Sequence, residues 1–186
     1  YDYPLHYKGQ IIRTDFEYQT HKSLTTVGDA HGYQHLWNLG QGKVEGSSLT
    51  TWLMGDSYYS LISSANADSE VIFARTGAND PDFNLRNEPM FMLRQKAANH
   101  LFANVYETHG YFNESVEASL NARGQVETVE VLQADDIASV VALHLITGKH
   151  IKVCISNLVG VDASTLTTVN IKGKAISWTG PVTIIK

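Results

Sequence analysis

SVVALHLITGKHIKVCISN (residues 139–157) decides the fold. Two runs rich in Val, Ile and Leu, Ser139 to Ile146 and His150 to Asn157, flank the turn dipeptide Gly148-Lys149. Their apolar period is two, the period of a strand whose Cβ atoms point to alternate sides. A short Gly-containing join between two such runs makes an antiparallel hairpin. Working outward, Thr128 to Gln133 and Thr165 to Ile171 carry the same pattern. Asn99 to Thr108 sets Leu101, Ala103 and Val105 on one side and Phe102, Asn104 and Tyr106 on the other. Turn chemistry punctuates the chain at Gly28-Asp29, Gly40-Gln41-Gly42, Gly55-Asp56, Asn79-Asp80-Pro81, Gly173-Lys174 and Gly180-Pro181. Glu114 to Asn121, with Val116 and Leu120 four apart, suits either one or two helical turns or none. The expectation is an all-β chain of packed antiparallel sheets, a multilayered β-sandwich in a single domain over residues 1–186.

Composition agrees. The 186 residues are 43% apolar, enough for a real core. Lys and Arg number 14 against 19 Asp and Glu, a net charge of −5, so nothing draws the chain to nucleic acid. The charged fraction of 18% is low for a soluble domain and, with abundant small polar residues, suits a secreted-type protein. No apolar run reaches the length of a membrane span, the longest lying around Ile137 to Ile146. Cys154 is the single cysteine and is expected to be a buried, inert thiol. The chain opens on Tyr1, without Met or a leader, and is expected to be a fragment.

The densest group of chemistry-bearing residues is His31-Gly32-Tyr33-Gln34-His35-Leu36-Trp37. On an extended chain Tyr33, His35 and Trp37 share a side, a face that suits a sugar because the aromatics combine apolar area with polar edges. Two other readings stand beside it: Trp37 and Leu36 as core with His35 bonded to a neighbouring backbone, or His31 and His35 as metal ligands. Thr76 to Pro89, TGANDPDFNLRNEP, is the most irregular stretch and carries Arg86 and Glu88. Arg75, Arg86, Arg94 and Lys96 form a modest basic cluster. Asp135-Asp136 reads as a turn before the strand at Ile137 rather than an acid/base pair. Gly-x-Ser-x-Gly, His-Glu-x-x-His and phosphate-cradling motifs are all missing from the sequence, which argues against covalent hydrolase and nucleotide chemistry.

Leu5-His6-Tyr7-Lys8-Gly9-Gln10, Phe16-Glu17-Tyr18-Gln19-Thr20, Gly32-Tyr33-Gln34-His35-Leu36-Trp37 and Asn84-Leu85-Arg86-Asn87-Glu88-Pro89, in that order, resemble the C-terminal region of the oligoalginate lyases. These are polysaccharide lyase family seventeen, in the heparinase II/III-like group. The likeness runs from about Leu5 to about Val131. It implies a two-part enzyme, an N-terminal α/α toroid and a C-terminal antiparallel β-domain, that acts exolytically on alginate oligomers and releases unsaturated monouronates by β-elimination. That chemistry needs Asn, His or Arg at the uronate carboxylate and Tyr or His for the proton transfers.

The family's toroid and its Gly-His-Gly-His-Phe-Asp type motif have no counterpart in these residues. No catalytic and no metal residue is therefore carried over, and the zinc that the resemblance implies belongs to the parent protein. The expected partners are an alginate oligosaccharide and the N-terminal part of the same lyase, in a secreted or periplasmic protein, with homo-oligomerisation left open. Tyr33, His35, Trp37, Arg75, Arg86 and Glu88 are the candidate substrate-facing or interface residues. The competing readings are a free-standing uronate-binding module and a scaffold without a ligand.

Overall fold

The computed structural model describes residues 1–77 and 87–186, and it is built from antiparallel strands. The eight strands of the large sheet are β1 (Asp2–His6), β2 (Gln10–Thr14), β3 (Gln19–Thr26), β4 (Leu36–Met54), β5 (Ser57–Thr76), β6 (Pro89–Gln95), β7 (Asn104–Asn113) and β8 (Ala118–Leu120). Its spine is the long β4–β5 hairpin, turned at Gly55-Asp56, with neighbours in the order β1-β6-β5-β4-β2. β1 and β2 thus lie on opposite edges, yet only Tyr7-Lys8-Gly9 joins them. In a flat sheet four strand spacings would set those edges about 19 Å apart, whereas the steps from His6 to Gln10 reach at most about 14 Å. The sheet must curl. Its inner face packs Val44, Trp52, Leu61, Val71, Phe73, Phe91 and Leu93, and Tyr7 reaches across to Trp52 and Phe91 with ring centroids at 6.1 and 5.8 Å.

The outer face is covered in two halves. Val27, Tyr33 and Leu36 pack on Ile72, Ala74, Met90 and Met92. Ile62 and Ala103 pack on Val129, with Val131, Val141 and Leu143 around them. These last residues belong to a four-stranded sheet in the order β14-β11-β10-β9, made of β9 (Val126–Ala134), β10 (Ala138–Leu145), β11 (His150–Ser156) and β14 (Val182–Ile185). Its other face, Ala138, Val140 and Cys154, is capped by the hairpin β12 (Leu166–Ile171) and β13 (Lys174–Thr179) through Val169, Ile171 and Trp178. The result is the layered antiparallel architecture that the alternation predicts. Cys154 is buried and free, and burial pushes its thiol pKa up.

Local expectations fare unevenly. The 139–157 hairpin pairs in register from Ala138↔Ser156 to His144↔His150. Asp135 does form the turn before Ile137, its Oδ1 accepting the Ile137 and Ala138 N–H groups. Glu114 to Asn121 is a turn followed by β8, with no helix. Strand β7 begins at Asn104, so the 99–103 part of the expected strand is irregular. Gly40-Gln41-Gly42 is no turn; it lies inside β4. A Cβ at Gly40 would stand 2.6 Å from the Gln19 carbonyl oxygen, and one at Gly42 2.2 Å from that of Glu17. Here glycine serves a close approach of backbones rather than a reversal.

Candidate functional site

Residues 31–37 decide where the expected site goes. Gly32 takes φ +91°, its N–H donates to Gln34 Oε1 at 2.9 Å, and the His35 N–H donates to the Gly32 carbonyl at 3.0 Å. The chain therefore makes one 3-10 turn over Tyr33–His35 before entering β4. The extended reading that put Tyr33, His35 and Trp37 on one side fails for that reason. Leu36 pairs with Thr76 and Trp37 with Arg75. Leu36 and Tyr33 lie against the outer face of the large sheet, while Trp37 and Arg75 share the side of Phe73. The sheet itself separates Tyr33 from Trp37.

Tyr33 enters an ion-pair cluster that the sequence does not announce. Its hydroxyl donates to Asp2 Oδ2 at 2.5 Å. Arg94 donates from Nε to Asp2 Oδ1 and from Nη2 to Asp2 Oδ2, both at 2.9 Å, and its guanidinium carbon stands 5.2 Å from the Tyr33 ring centroid. Burial works to raise the Asp2 pKa, but the bonds from Arg94 and Tyr33 outweigh it and hold the carboxyl below its ordinary value. The bond to Asp2, aided by burial, raises the Tyr33 phenol, so it keeps its proton. Beside the trio opens a polar cavity of about 500 Å³ lined also by Lys43, Glu70 and Lys96. With the carboxylate taken by Arg94, the trio locks the 28–36 segment to β1.

A second group gathers at the rim of the sheet. The His35 carbonyl accepts the Gly77 N–H at 3.0 Å, and the Glu88 carbonyl accepts the Thr76 N–H at 2.9 Å. The Glu88 carboxylate lies 3.9 Å from His6 Nδ1. His35, Thr76, Gly77, Glu88 and His6 therefore meet through backbone bonds and one long, exposed contact between the Glu88 carboxylate and the His6 ring. Arg86 and the Asn79-Asp80-Pro81 turn lie outside the described residues. The metal reading of His31 and His35 gains no support: among the described residues no three His, Cys, Asp or Glu side chains converge as ligands.

Sequence reasoning also missed a polar trio inside the fold. Thr51 Oγ1 and Ser60 Oγ are 2.8 Å apart, Ser60 Oγ lies 2.8 Å from His109 Nε2, and His109 Nδ1 lies 2.9 Å from the Asn121 carbonyl. A carbonyl only accepts, so Nδ1 carries a proton, and in the neutral imidazole Nε2 then accepts from Ser60. Ser60 is almost wholly buried. The trio thus fastens β4, β5 and β7 together and presents no open nucleophile. A Ser-Tyr-Tyr-Ser run in an alternating strand carries no sign of it.

The architecture and its polar rim define an all-β unit of layered antiparallel sheets. Over 97% of its length the chain is 32% identical to an exo-oligoalginate lyase of Saccharophagus degradans and 33% identical to an alginate lyase of Stenotrophomonas maltophilia. Both likenesses bear out the resemblance to the oligoalginate lyases. The chain spans about a quarter of each relative, 25% and 24%. No family model matches it.

Proposed function

We propose that these 186 residues form the C-terminal β-part of an exolytic oligoalginate lyase, one that cleaves alginate oligomers by β-elimination to unsaturated monouronates. The observation that carries this reading is the similarity to two alginate lyases over 97% of the chain. In this reading the chain supports the catalytic part and does not itself run the elimination. The reaction needs a group to neutralise the uronate carboxylate, a base for the C5 proton and an acid for the C4 oxygen. Tyr33 is held protonated against Asp2, and Arg94 is spent on the same carboxylate. These groups are built to hold a loop in place.

The same pairing removes Arg94 from the cations that a free-standing uronate binder, at −5 overall, would have to gather at one place. Arg94 is bound to Asp2, Arg123 to Glu127 and Lys172 to Glu130. The zinc implied by the resemblance finds no converging ligands among the described residues, and we assign it to the remainder of the lyase. A secreted or periplasmic location follows from an extracellular polysaccharide as substrate; no helix among the described residues is long and apolar enough to cross a membrane. The test is the absorbance of unsaturated uronate with alginate oligomers. The longer polypeptide is expected to raise it steadily and the 186-residue chain to leave it flat. A steady rise with the purified chain, abolished by Tyr33→Phe or His35→Ala, would place the base and acid here and overturn the supporting role.

A further inference from the structure

The two faces of the four-stranded sheet carry the wrong patterns for what covers them. On β11 and β14 the covered side, toward the β12–β13 hairpin, includes Lys152, Cys154, Ser156, Thr183 and Ile185. The opposite side holds Ile151, Val153, Ile155, Val182 and Ile184 and nothing else, as the pairs Val153↔Ile184 and Ile155↔Val182 require. An uncovered face should be the polar one, because alternation in an antiparallel sheet sorts polar residues to water. Here it is the reverse.

This apolar side is continuous with an internal core. Val141 pairs with Val153 and Leu143 with Ile151, so the strip extends the face that Val129, Val131, Val141 and Leu143 turn to the large sheet. The large sheet, however, meets the four-stranded sheet through β9. Two strands further out no described residue is packed over the strip, and Ile155, Val182 and Ile184 are 41%, 55% and 62% exposed. Contiguous apolar patches of this kind mark contact surfaces. Five β-branched aliphatic side chains offer neither a cation nor a hydrogen bond to a polyuronate, which excludes the sugar as occupant.

We infer that this strip is the docking face for the part of the same lyase polypeptide that lies outside these 186 residues. The inference rests on reading the chain as one part of a longer lyase, whose relatives are about four times its length. An apolar protein surface laid on β11 and β14 would complete the interlayer core that the large sheet covers only in part.

Hydroxyl-radical footprinting of the longer polypeptide, read by mass spectrometry, tests this without any variant that could misfold. Val159, 104% exposed, is the internal reference of the same residue type as Val182. With the strip docked, Val182 is expected to be modified at less than about a tenth of the Val159 rate, and Ile155 and Ile184 to be protected alongside it. Modification of Val182 at about half the Val159 rate, as its bare exposure dictates, would overturn the inference. So would protection that vanishes on dilution, which would make the occupant a second copy. Uronate release by the same sample is scored separately: an inactive polypeptide would retract the lyase reading and leave protected Val182 standing as evidence of docking.

Discussion

The large sheet and the four-stranded sheet solve the same problem of burying apolar area in opposite ways. The large sheet curls, so that Tyr7, in the link between the two edge strands, touches Trp52 and Phe91 on inner strands, and its core is aromatic and self-supplied. The four-stranded sheet is aliphatic and depends on outside cover, from the β12–β13 hairpin on one side and β4, β5 and β7 on part of the other. A sheet that curls fills its inner face from its own strands and shares only its outer one, where Ile62 and Ala103 meet Val129. One that stays flat must find partners on both faces, and the open strip on β11 and β14 is where that need is unmet among the described residues.

Substitutions in the two cores sharpen this contrast. Trp52 touches Tyr7, Tyr59, Phe91 and Tyr106, and Trp52→Ala is expected to cost about 3–5 kcal/mol in urea unfolding. Trp178 fills the other core, but its buried indole N–H has no hydrogen-bond partner among the described residues. Trp178→Phe gives up only volume there and should cost less than about 1.5 kcal/mol. A Trp178→Phe loss as large as that of Trp52→Ala would show that the Trp178 N–H is paired rather than idle.

Next in size is Gly42→Ala, whose new Cβ meets the Glu17 carbonyl and Tyr18, with an expected loss of about 1–3 kcal/mol. Gly46 also lies in β4, at φ +74° with open space around a Cβ; its alanine variant should lose about 1 kcal/mol through backbone strain alone. A Gly42→Ala protein no less stable than Gly46→Ala would mean that the backbones at Glu17 can separate freely.

Asp2→Asn should cost about 1–2 kcal/mol at neutral pH by removing the carboxylate that Arg94 and Tyr33 share. The folded state holds the Asp2 pKa below its ordinary value, so this stabilisation is full above that value and fades as pH falls through the depressed one. Unfolding titrations should therefore show a shallower acid limb in Asp2→Asn than in the parent. The smallest effect is expected at the rim: Glu88→Gln, where the His6 pair is exposed and long, should shift stability by no more than about 0.5 kcal/mol.

What could be read from the residues was what is local. The hairpin from β10 to β11 shows its period and its turn within twenty consecutive positions, and the structure reproduces both. Gly40 and Gly42 misled because a glycine that opens space for a neighbouring backbone looks, in sequence, like one that reverses the chain. Tyr33 stands out in sequence for its company in 31–37, but Gly32 curls that segment, and its working partners are Asp2 and Arg94. Those two are 92 positions apart and share no motif. The Ser60 and His109 contact was hidden for the same reason, since it exists only once β5 and β7 are paired.

The curl of the large sheet also imposes an order of assembly. Strand β1 finds its ladder partner only in β6, with Asp2 opposite Arg94 and Leu5 opposite Phe91. Between them must come the whole β4–β5 hairpin, whose outer strand carries β6 in turn. As the polypeptide is made, β1 therefore waits unpaired for some ninety residues while later strands form. Its Tyr3 and Leu5 side chains, and Tyr7 just after it, stay uncovered throughout that interval, and their arrival on the core of Phe91 and Trp52 is a late, long-range step that completes the curled sheet.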